Sequence, residues 1–72
     1  MKKMYRVTIH FETIYTHEKE QKIEYIDSRD QALRAFTIYM ENPETRFCSV
    51  DIVYKINDIV HKIIACYTDE RG

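Results

Sequence analysis

The fold is decided by residues 47–68, FCSVDIVYKINDIVHKIIACYT, which predict one long β-hairpin. We place a two-residue turn at Asn57-Asp58, because asparagine and aspartate tolerate the positive φ angles of such turns. In this register Tyr54 faces His61, and the next pairs on the same side are Ile52 with Ile63, Val50 with Ala65, and Cys48 with Tyr67. One side of the hairpin is therefore almost entirely apolar and is expected to face the core.

The other side of this hairpin is also rich in apolar residues, namely Val53, Val60, Ile64 and Cys66. One helix cannot cover both sides of a sheet, so the sequence predicts that a protein partner covers the second side. The expected interface consists of those four residues and a polar rim: Asp51, Lys55 and Lys62. A three-residue turn is the alternative, and it turns Val60, Ile64 and Cys66 inward together with Lys62. In either register some apolar surface stays uncovered.

Two strands and a helix precede this hairpin. Alternation of apolar and polar residues predicts strand 1 over residues 4–16 and a short strand 2 over residues 22–26. Ser28 and Gln31 have the spacing of a capping box and the pair Asn42-Pro43 ends a helix, so we expect a helix over residues 29–41. Its core-facing residues are predicted to be Leu33, Phe36 and Met40, flanked by Ala32 and Tyr39. Strands 3 and 4 then cover residues 46–56 and 59–68, and residues 69–72 are expected to be a frayed tail.

These elements predict an α+β protein of order ββαββ, with a four-stranded sheet and one helix on one face. We favour the strand order 2-1-4-3, because strand 4 is apolar on both sides, as central strands tend to be. Strands 2 and 3 are then the edges, where their charged residues discourage unwanted pairing. The order 2-1-3-4 is the alternative. The favoured order has the layout of a β-grasp sheet, which is a likeness of topology only.

The chain is short, and its composition offers few covalent or metal cross-links that would stabilise a small domain. Its 72 residues are expected to form a single domain, and such a domain buries only about 60 % of its unfolded surface. The two cysteines fall on opposite faces of the hairpin, so we predict free thiols and a reducing, cytoplasmic location. The formal net charge is −1 and the charges are mixed in sign, so neither nucleic acid nor a membrane is an expected partner.

The sequence has no pattern of an enzyme or of a cofactor-binding protein. A single glycine, at the terminus, excludes glycine-rich phosphate loops. His10 and Glu12 share one side of strand 1 but lack the further ligands of a zinc site. His61 is expected at the rim of the core, and Cys48 and Cys66 are expected to pack as small apolar residues. We therefore expect no catalytic residues, no cofactor and no metal.

The function most consistent with these patterns is that of a small non-enzymatic protein–protein interaction module that forms a homodimer. The alternative is a small nucleic-acid-binding protein, but acidic residues are interleaved with the cations that would contact phosphates. The chain is also glycine-poor and rich in lysine, isoleucine, glutamate and tyrosine. We associate this composition with phage or mobile-element genes of AT-rich bacteria, and so with an inhibitor or regulator of a host protein.

Overall fold

Two β-hairpins joined by a helix make up the structure, a computed structural model that describes residues 2–69. The elements in chain order are β1 Lys3–Glu12, β2 Lys19–Ile26, α1 Arg29–Glu41, β3 Thr45–Tyr54 and β4 Val60–Thr68. Within these residues the predicted α+β class, with four strands in one sheet and one helix, is confirmed. Of the expected tail, residues 70–72 lie outside the described residues, whereas the Asp69 N–H donates to the Arg46 carbonyl over 2.9 Å.

The strand order is β2-β1-β3-β4, and every neighbouring pair is antiparallel. The favoured order 2-1-4-3, with its β-grasp-like layout, is wrong, and the alternative 2-1-3-4 is the order observed. The observed order keeps the whole sheet antiparallel, whereas the favoured order makes strands 1 and 4 parallel, which is a slightly less stable pairing. β4 is therefore an edge strand, and β3 lies inside the sheet.

The charged residues of β3 pair across the sheet. The Asp51 carboxylate lies 3.1 Å from the Arg6 guanidinium of β1, while Arg46 lies 3.5 Å from Glu12 and 3.2 Å from Asp69. We expected charges on this strand to protect a sheet edge. Cross-strand pairing instead allows a central strand to carry charged residues. The prediction from charge therefore assigned β3 to the edge of the sheet and β4 to its centre, the reverse of the observed positions.

The core lies between α1 and the inner strands β1 and β3. Its fully buried members are Val7, Ile9, Ala32, Cys48 and Val50. Partly buried apolar residues surround them: Tyr5, Phe11, Ile26, Phe36, Tyr39, Ile64 and Ala65. Alternate residues of β1 and β3 thus supply the side of the sheet that faces the helix.

α1 begins and ends where its capping residues predict. The Ser28 side chain accepts from the Gln31 N–H over 3.4 Å, and Asn42 caps the helix before Pro43. The face that packs on the core is turned slightly from the predicted one. Ala32 and Tyr39, which we expected to flank the contact, belong to it, whereas Met40 is 36 % exposed.

Both hairpins close with wider turns than the sequence predicts. β1 ends at Glu12, and His17 then adopts a φ of 58° while its N–H donates to the Thr13 carbonyl over 3.0 Å. In the second hairpin residues 55–59 replace the predicted two-residue turn. The Asp58 N–H donates to the Tyr54 carbonyl over 2.8 Å, and Asp58 has a φ of 60°, a left-handed conformation that aspartate tolerates.

Two irregularities in the pairing of β3 with β4 decide which side each residue of β4 faces. The paired residues are Cys48 with Tyr67, Val50 with Ala65, Asp51 with Ile63, Ile52 with Lys62, and Val53 with Val60. The first two pairs are as predicted, but the predicted pairing of Ile52 with Ile63 is wrong. From Ala65 back toward Val60, the first irregularity adds Ile64 to β4 and the second adds His61. Each added residue moves the side chains beyond it to the opposite face of the sheet.

Candidate interaction surface

A strip of exposed apolar side chains follows β4 and the turn that leads into it. We call it the β4 strip, and its members are Ile56, Ile59, Val60, Ile63 and Cys66. Ile56 is 79 % exposed and Ile63 is 61 % exposed. A concentration of apolar side chains in water marks a site of interaction more often than scattered ones do, so this strip is the candidate interaction surface.

The register of the sheet places the strand members of the β4 strip on one side. Val60, Ile63 and Cys66 stand opposite Val53, Asp51 and Ser49 of β3. Those three β3 residues alternate with Val50 and Cys48 of the core, so they point away from α1. The β4 strip therefore lies along the helix-free face at the outer edge of the sheet.

Four residues of the predicted interface lie on this helix-free face. Val60 and Cys66 are exposed and belong to the β4 strip. Val53 pairs directly with Val60 but is fully buried, and Asp51 is only 5 % exposed. Only part of the expected apolar stripe is thus accessible.

The other three predicted interface residues lie elsewhere. Lys55 is exposed in the turn of the second hairpin. Ile64 packs against the core beneath α1, and Lys62 pairs with Ile52 on the same side of the sheet. The structure does not bring these residues into one surface with Val60 and Cys66.

Ile63 is the residue of the β4 strip that sequence reasoning placed on the wrong side. Strict alternation from Val50 and Ala65 put it opposite Ile52, facing the core. The one available signal was the adjacent pair Ile63-Ile64, because strict alternation faces only one of the two toward the core and an extra residue in the strand changes which one. Ile56 and Ile59 were assigned to strand ends and belong to the turn.

A polar network holds this turn against the sheet. Arg6 donates to Asp51 Oδ2 and to Asp58 Oδ2, each over 3.1 Å, and the Tyr25 hydroxyl donates to the same Asp58 oxygen over 3.0 Å. Burial opposes the charged guanidinium, yet the hydrogen bonds to two carboxylates raise the pKa of Arg6. The hydrogen bond to Asp58 likewise raises the pKa of Tyr25. The network restrains the turn and so positions its two apolar side chains, Ile56 and Ile59.

The two edge strands, β2 and β4, differ in how many charged residues they contain. β2 contains four charged residues among eight, KEQKIEYI. Lys22 and Glu24 of β2 lie 3.2 Å apart, and a hydrogen bond from the Tyr39 hydroxyl lowers the pKa of Glu24. β4, VHKIIACYT, contains one charged residue, Lys62. Because charged edges discourage pairing with another chain, β4 is the edge more open to a partner.

His61 lies in a small cluster at the turn end of β4. The predicted pairing of Tyr54 with His61 is absent from the register, where His61 is an added residue, but the two side chains still meet. The His61 Nδ1 is 3.0 Å from the Tyr54 hydroxyl, and the two rings meet edge to face. The Lys3 ammonium lies 3.5 Å from Nε2 of the same ring and 5.5 Å from the centre of the Tyr54 ring. The histidine therefore packs at the rim of the sheet.

The side chains of His10 and Glu12 are each engaged by a different neighbour. The His10 ring packs edge to face on Phe47, and the Glu12 carboxylate accepts from Arg46 over 3.5 Å. Both border a cleft of about 600 Å³ between the ends of β1, β2 and β3. Among residues 2–69 no three or more histidine, cysteine, aspartate or glutamate side chains are grouped to hold a metal ion.

The two cysteines are free, as predicted, but only Cys48 packs as the small apolar residue that we expected of both. Cys48 is fully buried in the core, whereas Cys66 is exposed on the β4 strip. Burial, and to a smaller extent the neighbouring Cys66, raises the pKa of the Cys48 thiol to about 11. Only the thiolate reacts readily, so Cys48 is protected both by burial and by its proton.

We expect the two thiols to react at different rates with an aromatic disulfide reagent at pH 8 and low micromolar protein. Cys66 should react quickly, and Cys48 at least about 100-fold more slowly until the protein unfolds. The Cys66→Ser variant should lose the fast phase and keep the slow one. Two equally fast thiols, or a fast phase that survives in Cys66→Ser, would contradict the placement of these residues.

Comparison with known proteins gives no match for this chain. No family model matches it, and neither does any curated protein or any solved structure. In the part of the chain that the structure describes, α1 has neither the length nor the apolar character of a membrane-spanning helix.

Proposed function

We propose that this chain is a small non-enzymatic interaction module, which binds a protein partner through the β4 strip. Its expected role is that of an inhibitor or regulator of a host protein, encoded by a phage or mobile element and acting in the cytoplasm. The observation that supports the proposal best is the exposure of five neighbouring apolar or thiol side chains beside an edge strand with one charge. Addition of a strand to such an edge is a common mode of protein recognition.

The electrostatics of the sheet favour a protein partner over a nucleic acid. Arg6 is engaged by two aspartates, and Arg46 is engaged by Glu12 and Asp69. Cations that already have carboxylate partners contribute little to phosphate binding, which depends on net local positive charge. An apolar strip without basic residues among its members suits a protein surface better.

The test is a pull-down from host lysate with tagged wild type and two tagged variants, and it compares the proteins that each of them captures. A second copy of the chain with a different tag is present in each lysate. We expect Ile63→Glu to lose a captured protein, because a buried carboxylate in an apolar interface is strongly unfavourable. Ile38→Glu is the matched control, because Ile38 is also 61 % exposed but lies on α1. Quantitative mass spectrometry of the captured proteins gives the measurement.

A protein that wild type and Ile38→Glu retain and Ile63→Glu loses supports the proposal. The same set of proteins captured by all three chains refutes it. Nuclease treatment of the lysate separates the rival function, since a complex that disappears with the nucleic acid points to nucleic-acid binding. Circular dichroism of both variants establishes that each is folded before capture.

A further inference from the structure

We propose that the turn between β3 and β4, residues 55–59, docks on an anionic lipid surface, with Ile56 and Ile59 inserted among the headgroups and nearby lysines facing the lipid charges. The inference goes beyond the proposed function, because it adds a lipid surface to the protein partner. Three features of the structure lead to it: an apolar tip, unpaired lysines near the tip, and the separation of charge along the molecule.

The tip of the second hairpin presents two aliphatic side chains to water. Ile56 is 79 % exposed and Ile59 is 58 % exposed. Asp58, which lies between them in the turn, reaches back to the sheet and accepts from Arg6 and from the Tyr25 hydroxyl. The turn is therefore held in place while its isoleucines stay outside the core. Exposed aliphatic side chains of this kind can enter the headgroup region of a bilayer.

Four exposed lysines lie near this tip: Lys2, Lys3, Lys55 and Lys62. The Lys55 N–H donates to the Lys2 carbonyl over 2.9 Å, and Lys3 lies opposite Tyr54, the last residue of β3. Lys62 is the third residue of β4. Among residues 2–69 none of the four forms an ion pair with a carboxylate, whereas Arg6, Lys22 and Arg46 each do. Their charge is thus available to an external anion.

The acidic side chains at this end of the molecule do not neutralise the lysines. Asp51 and Asp58 are both engaged by Arg6. Asp27 follows β2, the opposite edge strand, and Asp30 lies in the first turn of α1. Within the described part of the chain, neither of these two aspartates is paired with any of the four lysines.

Charges that are interleaved along the sequence, from which we expected no membrane partner, are separated by the fold. The antiparallel register sets Lys3 beside Tyr54 at one end of the sheet, and Glu12 beside Lys19 at the other. Acidic residues predominate at that far end: Glu12, Glu18, Glu20, Glu41, Glu44 and Asp69. The molecule extends 43 Å along its longest axis, several times the roughly 8 Å over which charge is screened. An anionic surface therefore attracts the tip and leaves the acidic end in solution.

The size and chemistry of the tip favour a lipid surface over a macromolecule of fixed shape. A stable protein interface buries about 800 Å² per partner, and two isoleucines offer only a fraction of that area. Proteins that bind single-stranded nucleic acid stack its bases on aromatic rings, whereas the apolar side chains of residues 55–59 are both aliphatic. Lysines beside shallow aliphatic anchors are a combination that binds anionic membranes.

Vesicle binding of a tryptophan variant tests the proposal. The wild-type chain has no tryptophan, so Ile56→Trp provides a single reporter at the tip. With vesicles of phosphatidylcholine and phosphatidylglycerol, we expect its emission to shift to the blue and to be quenched by brominated lipid, with half of the protein bound at roughly 0.1–1 mM lipid. Tyr15→Trp is the matched control, because Tyr15 is 93 % exposed in the turn of the first hairpin, at the acidic end. Its emission should not shift.

Charge reversal tests the lysines by cosedimentation with the same vesicles. Each lysine near an anionic surface contributes roughly fivefold in affinity, so Lys55→Glu/Lys62→Glu should bind at least about 25-fold more weakly. Lys19→Glu/Arg34→Glu carries the same net charge but changes exposed residues away from the tip, and it should stay within about threefold of wild type. Circular dichroism checks that both double variants are folded.

Absence of binding to anionic vesicles overturns the proposal, as does equal binding to vesicles of phosphatidylcholine alone. Equal loss in the two double variants also overturns it, because net charge then accounts for the binding. Equal blue shifts from positions 56 and 15 do the same, because adsorption is then not confined to the tip. The proposed function is tested separately, since Ile63→Glu reports the capture of a protein and leaves the tip and its lysines unchanged.

Discussion

The variant Ile9→Ala is expected to lower the free energy of unfolding by about 3 kcal/mol. Ile9 is among the largest side chains in the protein that are fully buried, and it lies in the centre of β1 beneath the helix. Truncation removes its apolar contacts and leaves a cavity that a sheet held on both sides by neighbouring strands cannot close. A domain of 72 residues typically has only roughly 4–11 kcal/mol of stability. This single change therefore removes a large fraction of it.

Urea denaturation followed by circular dichroism measures this effect. Ile38→Ala is the matched control, because Ile38 is 61 % exposed on α1 and alanine favours helix. The control is expected to stay within about 0.5 kcal/mol of wild type. A loss of similar size in both variants would show that Ile9 is not in the core.

The variant Arg6→Met is expected to destabilise the fold by about 2–4 kcal/mol, because it leaves a buried carboxylate without its cation. The Asp51 side chain is 7 % exposed, whereas that of Asp58, the second partner of Arg6, is 44 % exposed. Most of the loss thus arises at Asp51. The turn that carries Ile56 and Ile59 is also released, so the β4 strip should lose its order.

The double variant Arg6→Met/Asp51→Leu shows whether Arg6→Met loses stability because a charge is left unpaired or because packing is lost. Replacement of a buried ion pair by apolar residues is often neutral, so the double variant should recover to within about 1 kcal/mol of wild type. Lys22→Met is the control for an exposed pair, since the Lys22 side chain is 54 % exposed, and it should cost less than about 1 kcal/mol. If the double variant is no more stable than Arg6→Met, unpaired charge at Asp51 is not the cause.

Much of the local structure was predictable from the sequence. The helix begins at Arg29 and ends at Glu41 because Ser28 and Asn42-Pro43 act through contacts within a few residues. The alternation of β1 puts Val7 and Ile9 on one side of the strand, and that side faces the core. The free thiols of Cys48 and Cys66 were predictable because the hairpin register pairs Cys48 with Tyr67, so Cys48 and Cys66 lie on opposite faces of the sheet.

The candidate surface was only partly predictable. Val60 and Cys66 lie on the helix-free face as expected, but Ile63 exchanges sides with Ile64 because of the extra residue in β4. A bulge depends on how two strands fit together, so a pattern within one strand cannot place it. The burial of Val53 and Asp51 likewise depends on Arg6 and on neighbouring strands.

The amino-acid sequence by itself determined the elements of this protein: four strands, a helix with its caps, and an excess of apolar residues in its closing hairpin. These features arise from short-range periodicity and capping, which act within a few residues of the chain. Only the tertiary structure decided the strand order, the register of β4 and the exposure of the β4 strip. Each depends on long-range pairs such as Arg6 with Asp51, whose energies count only after the sheet has brought distant residues together.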